Sequence, residues 1–386
     1  MDEQLVAVGA RIRSRMSSDM SQRRLAELTD MKPDALSRAL NGLRGFSSIE
    51  LARIADRLGA DLHWLVTGRP DPHRVEIAAR HDWDETESAR TNTGRPSDEG
   101  ILEKVVDAYG AAFPDGPPPS ESLPDSPARL RALLGEGYVR QYGAVVQDRL
   151  GVDVFRLPGL TTDYSLTIGS RAIVILATTS HWYRSHWSLA HELAHLALGH
   201  HNGHEPPGER DELPANRYAA QLLLPEHLVL RQDWQRMDER GLAEFLWQAG
   251  VSTLSLKIRL TALEIQPSAK VAVALERTTP GLMRDYADDL PDIIGSTRQV
   301  TRRQQESSAR TVPSILVDAL QRRVEIGEIS PQYLAWALDV PVDEIDFPEP
   351  YDDDVALADA YGRMLEDRPS STDVREWLAT TGRSTR

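Results

Sequence analysis

Two imidazoles and a carboxylate stand together in the run Ser188-Leu189-Ala190-His191-Glu192-Leu193-Ala194-His195. At about 3.6 residues per turn, histidines four apart lie one above the other on a helix and can reach the same metal ion, with the residue after the first rotated beside them. His191 and His195 are therefore candidate metal ligands, and Glu192 is a candidate general base for a water activated there. The chemistry is metal-assisted hydrolysis, with ligands and base carried by one rigid element. Ser188 reads as the N-cap of that helix and Gly199 as its C-terminal stop, while Leu189, Leu193, Leu196 and Ala197 give it an apolar face.

A hydrolytic zinc site needs three protein ligands and an open position. Two residues compete for the third place. His201 falls where a His-Glu-x-x-His-x-x-Gly-x-x-His pattern puts its last histidine, but that pattern needs glycine at 198, and here Leu198 precedes Gly199. Glu212 projects from the start of a second expected helix, in which Asp211 is the cap, Pro214 is tolerated in the first turn and Pro225 is the stop.

The Ser188-to-His195 helix followed by Glu212-Leu213-Pro214-Ala215-Asn216-Arg217-Tyr218-Ala219-Ala220-Gln221-Leu222-Leu223-Leu224-Pro225 resembles the ImmA/IrrE metallopeptidases. The resemblance implies a gluzincin-type Zn2+ site of His191, His195 and Glu212, with Glu192 as the base. His200, His201 and His204 are then expected to form a solvated loop. Residues 164–170 and 172–177, short apolar or alternating runs separated by Gly169, read as strands ahead of the metal helix, one with an edge able to bind an extended substrate. Arg184 matches an arginine seen seven residues before the first ligand in that family, and residues 241–263 resemble its closing helices. Tyr183, Arg184, His186, His200 and Tyr218 are near enough in sequence to stabilise an oxyanion, and nothing in the sequence separates them.

Residues 1–70 carry a second signal: five short helical segments at 3–15, 21–29, 33–40, 48–58 and 61–66, punctuated by Gly42, Gly45, Gly59 and Gly68. Ser21-Gln22-Arg23-Arg24-Leu25-Ala26, the stretch from Met31 to Gly42, and Asp61-Leu62-His63-Trp64-Leu65-Val66-Thr67-Gly68 resemble the XRE family of phage-repressor-type helix-turn-helix domains. By matched position Pro33, Asp34, Ser37 and Arg38 face base edges in the major groove, and Gln22 and Asn41 contact phosphates or support the reading helix. Arg38 is the strongest single reader, since a guanidinium can bond bidentately to guanine.

Charge agrees with that placement. Residues 1–70 hold 11 Lys or Arg and 9 Asp or Glu, a net of +2 on a chain of net −15, so the remainder carries −17. A modest basic face suits salt-sensitive binding to a double-stranded DNA operator, as a homodimer that doubles the contacts. With no cysteine, His and carboxylates are the route to zinc. No membrane-length apolar run and no signal peptide are visible, so a cytoplasmic protein is expected.

The expected architecture is multi-domain and mainly α. An all-α helix-turn-helix domain spans 1–70, a linker with one helix 71–127, an α+β gluzincin-like metallopeptidase domain with a small sheet 128–267, and a helical region of unassigned role 268–386. The linker helix carries the apolar stripe Ile101, Leu102, Val105, Val106 and Tyr109, and residues 129–150 read as the helix opening the catalytic domain, with Gly135 and Gly137 able to break it. The functional expectation is a DNA-associated zinc endopeptidase and transcriptional regulator whose protein substrate is a repressor. Its alternatives are a transcription factor whose peptidase fold is a non-catalytic sensor, and a toxin–antitoxin partner.

Overall fold

The computed structural model describes residues 3–17, 19–79, 82–84, 89–91, 95–201, 209–289 and 297–345. His204, the acidic run Asp352-Asp353-Asp354 and the rest of 346–386 lie outside them. The fold is mostly helical with one small mixed sheet, as the sequence predicts.

Five helices open the chain: α1 (Glu3–Arg15), α2 (Gln22–Leu28), α3 (Pro33–Leu40), α4 (Ser48–Leu58) and α5 (Leu62–Thr67). Local chemistry sets their ends. Ser21 accepts from the Arg24 N–H, Ser47 and Glu50 form a reciprocal capping box, and Asp61 accepts from Trp64 N–H. Ile12, Leu25, Leu36, Leu40, Ile54 and Leu65 are sealed between these helices. Helix α1 crosses α3 so closely that a Cβ on Gly9 would stand 2.0 Å from the Leu40 carbonyl oxygen.

The sheet is built from β1 (Val75–Ala79), β4 (Asp153–Leu157), β5 (Tyr164–Ile168) and β6 (Arg171–Ala177), in the order β1-β5-β6-β4; β2 (Asp82–Asp84) and β3 (Ala89–Thr91) pair separately. Strands β1 and β5 and strands β5 and β6 are antiparallel, whereas β4 and β6 are parallel. The two strands expected from sequence are thus interior, and neither offers the substrate-binding edge expected of them. Strand β1 covers β5, with Val75 opposite Ile168 and Ala79 opposite Tyr164.

That strand comes from the segment read as a linker. The expected helix is there as α6 (Arg95–Ala112), but 71–127 is more than a tether, because buried polar groups fasten it to the sheet. Asp98 accepts from Thr161 N–H at 2.9 Å and from the Tyr164 hydroxyl at 2.8 Å, and Tyr109 donates to Asp153, which also takes Arg171 Nε at 2.7 Å. A buried carboxylate with this many donors is expensive to unpair. Leu102, Val105 and Tyr109 of the predicted stripe are buried.

Between α6 and β4 come α7 (Pro127–Leu134), a 3-10 turn (Tyr138–Gln141) and α8 (Tyr142–Leu150). The helix expected over 129–150 is broken where its glycines stand, Gly135 and Gly137 both having positive φ. The metal-motif helix is α9 (Trp182–Leu198), followed by α10 (Glu209–Leu223), α11 (Glu226–Leu230), α12 (Glu239–Ala249), α13 (Thr253–Ala262), α14 (Ala269–Ala274), α15 (Thr279–Tyr286) and α16 (Thr297–Ser308). Helix α16 packs on α9. Its Arg303 guanidinium sits 3.6 Å from the Trp247 ring centre and 5.2 Å from that of Trp182, and Thr311 exchanges two backbone hydrogen bonds with Arg156. Residues 297–311 therefore belong to the body that holds α9.

A second compact unit begins at Val317. Its described part holds most of α17 (Ser314–Glu325), α18 (Gln332–Leu338) and a 3-10 turn at Val342–Glu344, with Leu320, Val324 and Leu334 buried. Among the described residues no helix is long and apolar enough to cross a membrane.

Candidate metal centre

Helix α9 starts earlier than the sequence suggests. It begins at Trp182, so Ser188 is buried in mid-helix and caps nothing. Gly199 does end it, in the left-handed conformation at φ 70° with its N–H on the His195 carbonyl. This long register lays His191, Glu192 and His195 against the sheet on one side and α10 on the other, all three at most 1% exposed.

Helix α10 supplies the partner. It already includes Glu209, which places Asp211 inside the helix instead of at its cap. Pro214, expected in the first turn, accordingly falls in the second, inside the helix, where it leaves one i→i−4 backbone hydrogen bond unmade. Glu212 is 1% exposed and faces both imidazoles, with Oε2 3.4 Å from His191 Nε2 and Oε1 3.9 Å from His195 Nε2; the two Nε2 atoms are 3.1 Å apart. A tetrahedral ion with ligand bonds of about 2.0–2.1 Å separates its donor atoms by about 3.3 Å. The donor set fits such an ion in kind as well as in spacing, being two imidazole nitrogens and one carboxylate within 4.8 Å of one another. His201 is not in this group.

Glu192 stands beside the three candidate ligands with a different environment. Burial pushes its carboxyl up to about 7, against the opposing influence of His191 and of the Ser165 hydroxyl. Oε2 accepts from Ser165 Oγ at 2.7 Å, and Oε1 is buried without a hydrogen-bond partner. One oxygen is thus fixed from β5 and the other is left as an acceptor. Sequence reasoning missed Ser165, whose signal is only one small hydroxyl residue in a strand that also carries Thr167.

Of the loop histidines expected to be solvated, the two described ones, His200 and His201, are packed. The left-handed Gly199 turns the chain back over the helix, leaving His201 5% exposed and His200 half-buried. His200 Nδ1 lies 2.9 Å from His195 Nδ1, and its Nε2 is 3.8 Å from Asp211 Oδ1. Burial holds His195 down to about 3 and His201 to about 4, so both imidazoles are neutral near pH 7. Nothing separated the five oxyanion candidates in sequence, but the structure brings only His200 to the ligand cluster. His186 Nδ1 bonds the Gly250 carbonyl at 3.1 Å, Tyr218 donates to the Pro124 carbonyl at 2.7 Å, and Tyr183 and Arg184 line a separate groove.

In the N-terminal module Gln22, Pro33, Asp34, Arg38 and Asn41 are exposed and Ser37 is half-buried. Asn41 is already engaged: its amide donates to the Ser37 carbonyl at 2.9 Å, and its Oδ1 accepts from Arg13, which also clamps the Leu40 carbonyl. That fits support of α3 better than a phosphate contact. Other basic residues are tied down as well, Arg11 to the Leu65 and Val66 carbonyls and Arg44 to Glu50 at 2.7 Å.

Comparison with known families agrees with both modules. Residues 147–261 match the IrrE N-terminal-like domain, a peptidase family, and residues 13–65 match the helix-turn-helix family. No curated protein and no solved structure matches the chain. A helix-turn-helix domain of XRE type thus precedes an IrrE-like, metallopeptidase-type domain, in the order read from the sequence.

Proposed function

We propose that this chain is a DNA-associated zinc endopeptidase that cleaves a repressor and so derepresses stress, mobile-element or phage-related genes. The observation that carries the reading is the buried convergence of His191, His195 and Glu212 beside Glu192. A zinc ion held there supplies Lewis-acid polarisation of a scissile carbonyl and acidifies water. The chain supplies the rest. Glu192, oriented by Ser165, accepts a proton from the attacking water and returns it to the leaving amine. Burial excludes bulk water from that exchange.

The helix-turn-helix module brings this activity to DNA, with Pro33, Asp34, Ser37 and Arg38 toward base edges, Gln22 toward phosphates, and two copies spanning an operator in the cytoplasm. The decisive experiment is co-expression of the intact protein with helix-turn-helix repressors, followed by mass spectrometry of the fragments. Cleavage by the wild type and none by Glu192→Gln supports the proposal. Gene regulation that survives unchanged in Glu192→Gln replaces it with the non-catalytic sensor. On the DNA side, Arg38→Ala should weaken operator binding without changing hydrolysis of a freely soluble substrate.

A further inference from the structure

Helices α9, α10 and α13 enclose a groove of about 650 Å³ that none of His191, Glu192, His195 or Glu212 lines. Its walls carry Arg184, Arg217 and Arg259 and no carboxylate, on a chain whose net charge is −15. Among the described residues Arg184 and Arg217 are exposed and make no ion pair, and Arg259 gives its Nε to the Leu224 carbonyl at 3.0 Å. The walls also carry exposed apolar side chains among a few neutral polar ones. Helix α13 buries Leu256 and Leu260 in the core, as one face of a surface helix should, yet a second face puts Leu254 and Ile258 into the groove at 62% and 60% exposure. Leu213 of α10 meets them at 56%. Apolar side chains at four-residue spacing, flanked by unpaired guanidinium groups, match one kind of occupant.

We propose that this groove docks an amphipathic helix of a partner protein, with its apolar stripe on Leu213, Leu254 and Ile258 and its carboxylates on Arg184 and Arg217. An amphipathic helix lays its apolar face into such a groove, and Leu254 and Ile258 of α13 with Leu213 of α10 give that face an apolar floor. Arginine provides forked donors suited to carboxylates. Duplex DNA fits less well, since phosphates would engage the arginines but leave Leu213, Leu254 and Ile258 without apolar partners. The site stands apart from the peptidase reading, because docking there requires no hydrolysis.

The test uses the full chain and a fluorescently labelled synthetic peptide of about 18 residues, about five helical turns, with leucines on one face and glutamates at its flanks. Anisotropy should show saturable binding that weakens as salt rises. Arg184→Glu combined with Arg217→Glu should weaken it at least about tenfold, and the same peptide with lysines in place of glutamates should recover binding to that variant. Ile258→Asp should weaken binding of both peptides. The proposal is overturned if no saturable binding occurs or if the double variant binds the glutamate peptide as the wild type does. It is equally overturned if the double variant loses duplex-DNA affinity while keeping the peptide, or if it splits a wild-type dimer, which would make a second copy the occupant.

Discussion

The Ser165 hydroxyl donates to Glu192 Oε2 at 2.7 Å, so the orientation of the candidate base is set by a strand and not by the helix that carries it. Removing the hydroxyl frees the carboxylate to rotate and removes an influence that opposes its upward pKa shift. Ser165→Ala should keep metal content, measured by atomic emission, while lowering single-turnover cleavage by about tenfold, the scale of one lost positioning bond. Glu192→Gln should keep the metal too but lose about 10²- to 10⁴-fold or more. Equal rates for Ser165→Ala and wild type would show that the hydroxyl has no part in orienting Glu192.

His200 tests the ligand sphere from the other side. If His195 offers Nε2 to an ion, its Nδ1 carries the proton, and His200 Nδ1 at 2.9 Å is the acceptor that fixes this tautomer. His200→Ala should weaken zinc affinity by about 10- to 100-fold in chelator competition, the usual cost of losing an outer partner of a metal histidine. Glu212→Ala should weaken it more, since a primary ligand is lost, and His201→Ala should leave it nearly unchanged. A larger effect of His201→Ala than of Glu212→Ala would transfer the third ligand to His201.

These groups differ in how far the sequence reveals them, and the reason is distance along the chain. His191, Glu192 and His195 are legible because one helical turn relates them, and the α1 to α5 boundaries are legible because caps such as Ser21, Ser47 and Asp61 act over three residues. Ser165 and Glu192 are 27 residues apart, Tyr109 and Asp153 are 44 apart, and Asp98 and Tyr164 are 66 apart. Such pairs depend on tertiary packing that no local period encodes. For the same reason β1 hides in a stretch rich in turn residues: its strand character comes from β5, which lies nearly ninety residues later.

Gly9 is a further position whose importance only packing shows. A Cβ there would fall 2.0 Å from the Leu40 carbonyl oxygen, a backbone atom that cannot step aside. Gly9→Ala should therefore push α1 off α3, costing about 1–3 kcal/mol or more as an overpacked contact, and weaken operator binding by displacing the Arg13 clamp on Leu40 and Asn41. Gly110→Ala is the control. It is also helical but has nothing within 4 Å of its would-be Cβ, so helix propensity should leave stability unchanged or raise it by up to about 1 kcal/mol. Thermal melts that move equally for the two variants would sink the close-crossing account.

Acid stability is tied to His186. Burial, with Arg303 and Arg156 adding repulsion, holds its imidazole down to about 3, whereas in the unfolded chain it titrates at about 6.5. Between those values the unfolded state binds one more proton than the folded state, so stability rises with pH through the window and is lost as pH falls from about 6.5 toward 3. One such proton gives a slope of about 1.4 kcal/mol per pH unit. His186→Asn keeps an N–H near the position that now serves the Gly250 carbonyl but does not titrate. It should cost some stability at pH 7 through lost packing against Trp182 and Tyr142, yet its stability should fall less steeply on acidification, by about 1.4 kcal/mol per pH unit. Urea unfolding of both proteins at several pH values between about 6 and 4 measures that difference while cancelling the other histidines. Parallel slopes would mean that His186 becomes protonated within the folded state, and that burial does not hold it neutral.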